Sequence, residues 1–157
     1  MDKKIKSLIV HIATFVSLVV ADLTLKVLAL NFLGSKMVRL GRFLNLHTAL
    51  NEGVTWSLLA DFGHSNFPWL LSLIGIVLAV LFAYSVYKFK SDGTALPEIL
   101  VLAGGFANFV DRIWHGGVVD FIDLHFGTWH WASFNLADVC IVLGVVLIAK
   151  RMLYEDF

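Results

Sequence analysis

Hydrophobic and polar positions divide the chain into long apolar stretches separated by polar segments. Residues 67–87, FPWLLSLIGIVLAVLFAYSVY, carry no charge, and their length matches the roughly 20 residues that span a bilayer core. At the N-terminus, Lys3, Lys4 and Lys6 precede an uncharged run that ends at Ala21. The apolar pattern resumes past Asp22 and Lys26 to Leu33. A basic start followed by an apolar run resembles a signal peptide, but no A-x-A cleavage pattern follows. Residues 7–33 are therefore expected to form a retained first helix, tilted or extending past the membrane core. Residues 96–114 and 134–153 are weaker spans: the first holds Glu98, Asn108, Asp111 and Arg112, the second Asn135 and Asp138. Pro68 and Pro97 stand at expected helix starts, where a missing N–H costs little.

The segments between the spans carry pattern of their own. VRLGRFLNLHTAL at 38–50 alternates apolar residues around Gly41, as short strands do, and 57–62 reads as a short helix on the membrane surface. Trp56, Trp69, Trp114, Trp129 and Trp131 fall near one expected boundary, as an interfacial aromatic belt would. Lys3, Lys4, Lys6, Lys88, Lys90, Lys150 and Arg151 lie on the side of the termini. Lys36, Arg39 and Arg42 lie on the other. That bias places the termini in the cytoplasm and residues 34–66 and 115–133 outside. The expected fold is an all-α integral membrane protein: one domain, 1–157, with four transmembrane helices, both termini cytoplasmic, and a small extracytoplasmic segment of strands and short helix.

Composition agrees. Hydrophobic residues make up 59% of the chain and charged residues 15%, against about 25% charged in ordinary soluble domains. Disorder and collagen-like repeats are excluded on the same grounds. Twelve basic and twelve acidic side chains cancel, so no electrostatic footprint for nucleic acid is visible. The single cysteine, Cys140, excludes an internal disulfide framework and reads as a core residue of the fourth span.

Few charges interrupt the apolar stretches, and each costs at least about 2.5–3.5 kcal/mol to insert. Asp22 and Lys26 are four apart and share a helix face, which suits an ion pair, a chemical role or a transport path. Asn108, Asp111 and Arg112 follow the small residues Gly104, Gly105 and Ala107, which permit a close helix neighbour; a packing seam with a structural ion pair is the plain alternative. Asp120 lies in GGVVDFIDL, among apolar neighbours that raise a carboxyl pKa and suit acid–base work. Asp123 reads as a solvated loop charge or a helix cap. Asn135 and Asp138 face one way at the start of the fourth span, where Asp138 also suits capping. Asp120 and Asp138 both fall near the outer boundary. Two carboxyls brought close share a proton, so one can activate water while the other polarises a carbonyl. The six histidines show no H-E-x-x-H pattern and are expected at the surface or interface; no G-x-S-x-G elbow or phosphate loop is present. A small proton-coupled transporter using Asp22, Lys26, Asp111 and Asp138 is the alternative reading. A Ser–Lys membrane peptidase and a non-catalytic scaffold are others.

Several fragments together resemble prolipoprotein signal peptidase, or signal peptidase II, the aspartic peptidase family of bacterial membranes. They are DLTLK at 22–26, NEGVTWS at 51–57, GGFANFVDR at 104–112, GVVDF at 117–121 and FNLAD at 134–138. Their order and spacing cover nearly the whole chain. The resemblance implies that Asp120 and Asp138 are a catalytic dyad. It makes Asn51, Gly53, Asn108, Asp111, Arg112 and Asn135 residues that shape the site, with Asp22 and Lys26 an important polar pair of the first helix. Ala107 stands where the family has glycine, and Thr55–Trp56 replaces a small residue and phenylalanine. The implied activity is removal of the signal peptide from diacylglyceryl-modified prolipoproteins, cleaving before the lipidated cysteine by direct attack of water. The implied setting is the bacterial cytoplasmic (inner) membrane, with the site near the extracytoplasmic face. No metal or organic cofactor is implied; the partners are substrate and membrane lipids, and a monomer is expected.

Overall fold

The computed structural model describes residues 2–52 and 67–155. Gly53, Trp56, His64 and the short helix expected at 57–62 lie outside the described residues. Four helices and a small sheet make up the rest: α1 (Lys3–Phe32), α2 (Phe67–Asp92), α3 (Leu96–His115) and α4 (Leu136–Glu155). Helix α1 begins before the expected Ser7 because the Asp2 side chain accepts the Lys4 N–H at 3.1 Å, capping a turn that contains the lysines. Its 30 residues run about 45 Å at ~1.5 Å per residue, longer than a hydrocarbon core of ~30 Å. Helix α2 continues beyond the apolar run to a Lys88–Asp92 ion pair and stops at Gly93, whose φ is 73°. Pro97 occupies the first turn of α3, as expected.

Helix α3 is the hub and touches α1, α2 and α4. Its contact with α4 depends on missing side chains. A Cβ on Gly104 would stand 2.3 Å from the Ala137 carbonyl oxygen, and one on Gly144 would stand 2.7 Å from that of Pro97. The antiparallel pair therefore closes backbone to backbone at the first turn of each helix, which meets the middle of the other. Burial is inverted relative to a soluble protein. Ile76, Val80, Val142 and Val146 are exposed, whereas Asp22, Lys26, Glu98, Asp111 and Asn135 are at most 1% exposed. An apolar exterior around a charged interior suits lipid as the solvent. Helices α1 and α2 are each long and apolar enough to cross a membrane.

The sheet is antiparallel in the order β1 (Val38–Arg39), β2 (Leu44–Asn51), β3 (Val118–Phe126), β4 (Trp129–His130). Strands were expected in 38–50, and the structure adds those after α3. A bulge between Leu46 and Ala49 resets the register so that Ala49 faces Asp120 and Asn51 faces Val118. After β4 the chain returns along β3: Phe134 and Ile122 exchange backbone hydrogen bonds of 3.0 and 2.9 Å. This bridge sets the next residue, Asn135, beside β3 just as α4 begins.

Candidate active site

The site grows from a buried ion cluster. Lys26 lies on the face of α1 that meets α3, and its Nζ is buried among oxygens. It sits 2.8 Å from Asp22 Oδ2, 3.3 Å from Asp111 Oδ2 and 2.7 Å from Asn108 Oδ1. The Asn108 contact is a hydrogen bond, and the two carboxylates are ion-pair partners. Asp22 and Lys26 are thus a pair, as their spacing suggested, and the pair does further work. Asp22 Oδ1 accepts the Ala137 N–H at 2.8 Å, binding α1 to the first turn of α4. With Lys26 engaged in this way, nothing among the described residues favours a transport path through it.

Asp111 staples the turn from α3 into β3. Gly116 ends α3 with φ 74°, a left-handed conformation that glycine adopts without strain. Across that turn Asp111 Oδ2 accepts the Val119 N–H at 2.6 Å, while Oδ1 lies 2.7 Å from His115 Nδ1. Val119 is followed directly by Asp120, which is only 3% exposed.

Asn135 joins the two candidate carboxyls. Its side-chain Oδ1 accepts the Asp138 N–H at 3.0 Å, and its own N–H donates to Asp138 Oδ2 at 3.2 Å. This reciprocal pair is a capping box, so the capping reading of Asp138 holds alongside its place in the site. The same Asn135 donates Nδ2–H to Asp120 Oδ1 at 2.7 Å. Asn108 Nδ2 reaches Asp138 Oδ1 at 2.9 Å, and Asn51 Nδ2 reaches Asp120 Oδ2 at 3.3 Å. Each carboxyl is therefore held at both oxygens. Burial pushes the Asp120 carboxyl up to about 7, and the nearby Asp138 charge pushes it the same way; the amides of Asn51 and Asn135 pull against this. Arg112 donates to the Asn108 carbonyl at 3.2 Å, and its charge acts on Asp138, Asp120 and Asp111.

Asp120, Asp138, Asn51, Asn108 and Arg112 stand among the walls of a groove of about 1020 Å³. The remaining walls are almost wholly apolar, with Leu70, Leu73, Val77 and Leu81 from α2 facing Val139, Val142 and Val146 of α4. A polar head on an apolar trough suits a ligand that is part peptide, part hydrocarbon. Among the described residues, His, Cys, Asp and Glu form no group of three or more arranged to hold a metal ion. Cys140 is buried, as a core residue.

Two expectations are corrected. Asp123 is neither a solvated loop charge nor a helix cap. It is 2% exposed within β3, bonded to Asn45 Nδ2 at 2.8 Å and His130 Nδ1 at 2.9 Å. Burial pushes its carboxyl up, but these two partners outweigh burial and hold it below the ordinary value. His11 is not superficial: it is 6% exposed and its Nε2 accepts the Ala95 N–H at 2.9 Å, capping α3. His115, expected at the surface with the other histidines, is 34% exposed and also bonds Asp111, whose spacing of four signals a shared helix face. Glu98, fully buried against Arg151 of α4, could be suspected only as a charge inside an apolar stretch.

The chain is similar to known proteins over most of its length. A lipoprotein signal peptidase of Shigella flexneri is 41% identical over 136 residues, covering 85% of this chain and 82% of that protein. One from Escherichia coli (strain K12 / DH10B) is 40% identical over the same shares. A bacterial membrane enzyme solved by the in meso method at 2.3 Å resolution superposes with a TM-score of 0.76. It is 27% identical, over 94% of this chain and 89% of that one. The profile of signal peptidase (SPase) II matches residues 14–154, and the chain belongs to that family.

Proposed function

We propose that the protein is a membrane aspartic endopeptidase that removes the signal peptide from diacylglyceryl-modified prolipoproteins, with Asp120 and Asp138 as its catalytic dyad. The observation that carries this reading is Asn135, which hydrogen-bonds both carboxyls at the polar head of an apolar groove. In the proposed arrangement the acyl chains and the apolar signal segment occupy the trough between α2 and α4. The peptide bond before the lipidated cysteine lies at the dyad.

Asp120 is the seat of the shared proton, because its carboxyl stays neutral up to about pH 7. Asp138, in the N-terminal turn of α4, acts as the base. Asp138 takes a proton from water as its oxygen attacks the scissile carbonyl carbon, and Asp120 donates its proton to the carbonyl oxygen. The tetrahedral gem-diol then collapses with proton return to the leaving amine, releasing the signal peptide's new carboxyl end and the lipidated N-terminal cysteine. Arg112 supports the charge of the dyad from α3. No covalent acyl-enzyme forms.

The same proposal sets α1–α4 as four membrane spans of a monomer in the bacterial inner membrane. The basic residues near both termini lie in the cytoplasm, and the sheet and dyad lie at the extracytoplasmic face. The deciding experiment incubates the purified protein in detergent with a diacylglyceryl-modified precursor peptide, alongside Asp120→Asn and Asp138→Asn. Cleavage before the modified cysteine by wild type alone is expected; full cleavage by either variant removes the dyad.

A further inference from the structure

We infer that His115 is a positioning residue for this reaction: through Asp111 it fixes the start of β3 and so the placement of Asp120. The inference rests on the proposed dyad and extends it to a residue that does not touch substrate.

The geometry is a relay of two contacts. Asp111 is 1% exposed and has one oxygen for each neighbour: Oδ2 for the Val119 N–H at 2.6 Å, Oδ1 for His115 Nδ1 at 2.7 Å. A carboxylate accepts only, so His115 presents Nδ1–H to it, and either a neutral or a protonated ring can do so. The carboxylate torsion of aspartate is soft and roughly two-fold. Lys26 restrains Oδ2 at 3.3 Å, and His115 is the hydrogen-bonding partner of Oδ1. The turn being stapled has little rigidity of its own, since Gly116 and Gly117 supply no side chains. A Cβ on Gly117 would lie 3.0 Å from the Asn51 carbonyl oxygen, so the turn must also pass close to β2. Release of Asp111 Oδ1 therefore lets the carboxylate rotate and the Val119 N–H bond lengthen.

The strand itself survives that release. Val118, Val119 and Asp120 remain paired with Asn51, Leu50 and Ala49 of β2. What changes is the fine position of Asp120 relative to Asp138. A displacement of ~1 Å at a reacting group costs on the order of 100-fold in rate, while substrate binding along the apolar groove is untouched. His115 is 34% exposed at the end of α3, so its ring can be replaced without opening the core.

The test compares wild type, His115→Phe, His115→Asn, His115→Gln and Asp120→Asn on the diacylglyceryl-modified precursor peptide, with kcat and KM separated. Asparagine places an amide N–H where Nδ1 stands; glutamine places it where Nε2 stands, away from Asp111. The expected result for His115→Phe and His115→Gln is a kcat about ten-fold or more below wild type, with KM within about two-fold. His115→Asn is expected to recover to within about three-fold of wild type. Full kcat in His115→Phe, equal loss in the Asn and Gln variants, or a loss confined to KM overturns the proposal. If His115→Phe fails to fold, the Asn–Gln contrast decides alone. Activity in Asp120→Asn removes the dyad itself, a separate failure from that of His115.

Discussion

Asn135 donates Nδ2–H to Asp120 at 2.7 Å, while its backbone N–H reaches Asp138 at 3.2 Å, so one residue orients both carboxyls. Its replacement by alanine is expected to separate two roles. Loss of the α4 cap costs about 1 kcal/mol of stability. Loss of Asp120 orientation is expected to lower kcat by roughly 100-fold, more than the loss of stability explains. Thermal unfolding and peptide cleavage on the same preparation measure the two effects.

The proposed acid–base pair makes Asp120→Asn and Asp138→Asn the severest substitutions. General acid–base catalysis contributes about 100- to 10,000-fold, and losses of that size are expected from either, with the circular dichroism spectrum unchanged. Precursor cleavage followed by mass spectrometry gives the measurement.

The elevated Asp120 carboxyl predicts an alkaline limb. Cleavage is expected to fall as pH rises through about 7, where Asp120 loses the proton it donates. The Asn51 amide pulls that value down, so Asn51→Leu is expected to move the limb to higher pH. Stability carries the opposite face of the same shift. A folded-state value above the ordinary carboxylate range means that ionisation opposes folding as pH rises from ~4 to ~7, and the cost is full above that. Asp120→Asn is therefore expected to melt higher than wild type at pH 8, the gap closing toward pH 4. Rate profiles and melting curves across that range check both.

Lys26→Met leaves the buried acids Asp22 and Asp111 without their shared cation. Removing one partner of a buried ion pair costs about 3–5 kcal/mol. A large fall in melting temperature is expected, together with loss of cleavage, because Asp22 also holds the Ala137 N–H. Calorimetry in detergent is the check, and Lys26→Arg, which keeps the charge, is expected to do less harm.

Gly104→Val drives a side chain into the Ala137 carbonyl, which a Cβ alone would approach to 2.3 Å. Helix α4 must move away from α3 and carry Asp138 with it. A cost of about 1–3 kcal/mol is expected for overpacking, with cleavage lost even where the helices persist. Phe106→Val, on the same helix and 39% exposed, is the control expected to retain activity.

The helices were legible because uncharged runs of bilayer length have few other uses, and the residues of the polar cluster because charges in such runs are costly. Asp22 and Lys26 could be paired from helical spacing alone. Asp120 and Asp138 could not, since what brings them together is the Phe134–Ile122 bridge, a contact between backbones that side-chain patterning does not encode. Asp123 was misread for a related reason. Its partners Asn45 and His130 come from neighbouring strands, and only register makes a buried network out of an apparent loop charge. The ends of the helices extended beyond their apolar runs where a cap or an ion pair, Asp2 or Lys88–Asp92, prolonged them.

The hydrogen bond from Ala137 N–H to Asp22 has a temporal consequence. It ties the first helix to the turn that presents Asp138, and that turn in turn carries Asn135 to Asp120. During synthesis, α1 to α3 precede α4, so a growing chain displays one carboxyl of the pair and leaves Asp22 waiting for its donor. Under the proposed mechanism there is no partly competent precursor in the bilayer. On that proposal, arrival of α4 supplies the second carboxyl and the donor for Asp22 together, so a chain that ends before α4 cannot hydrolyse a precursor.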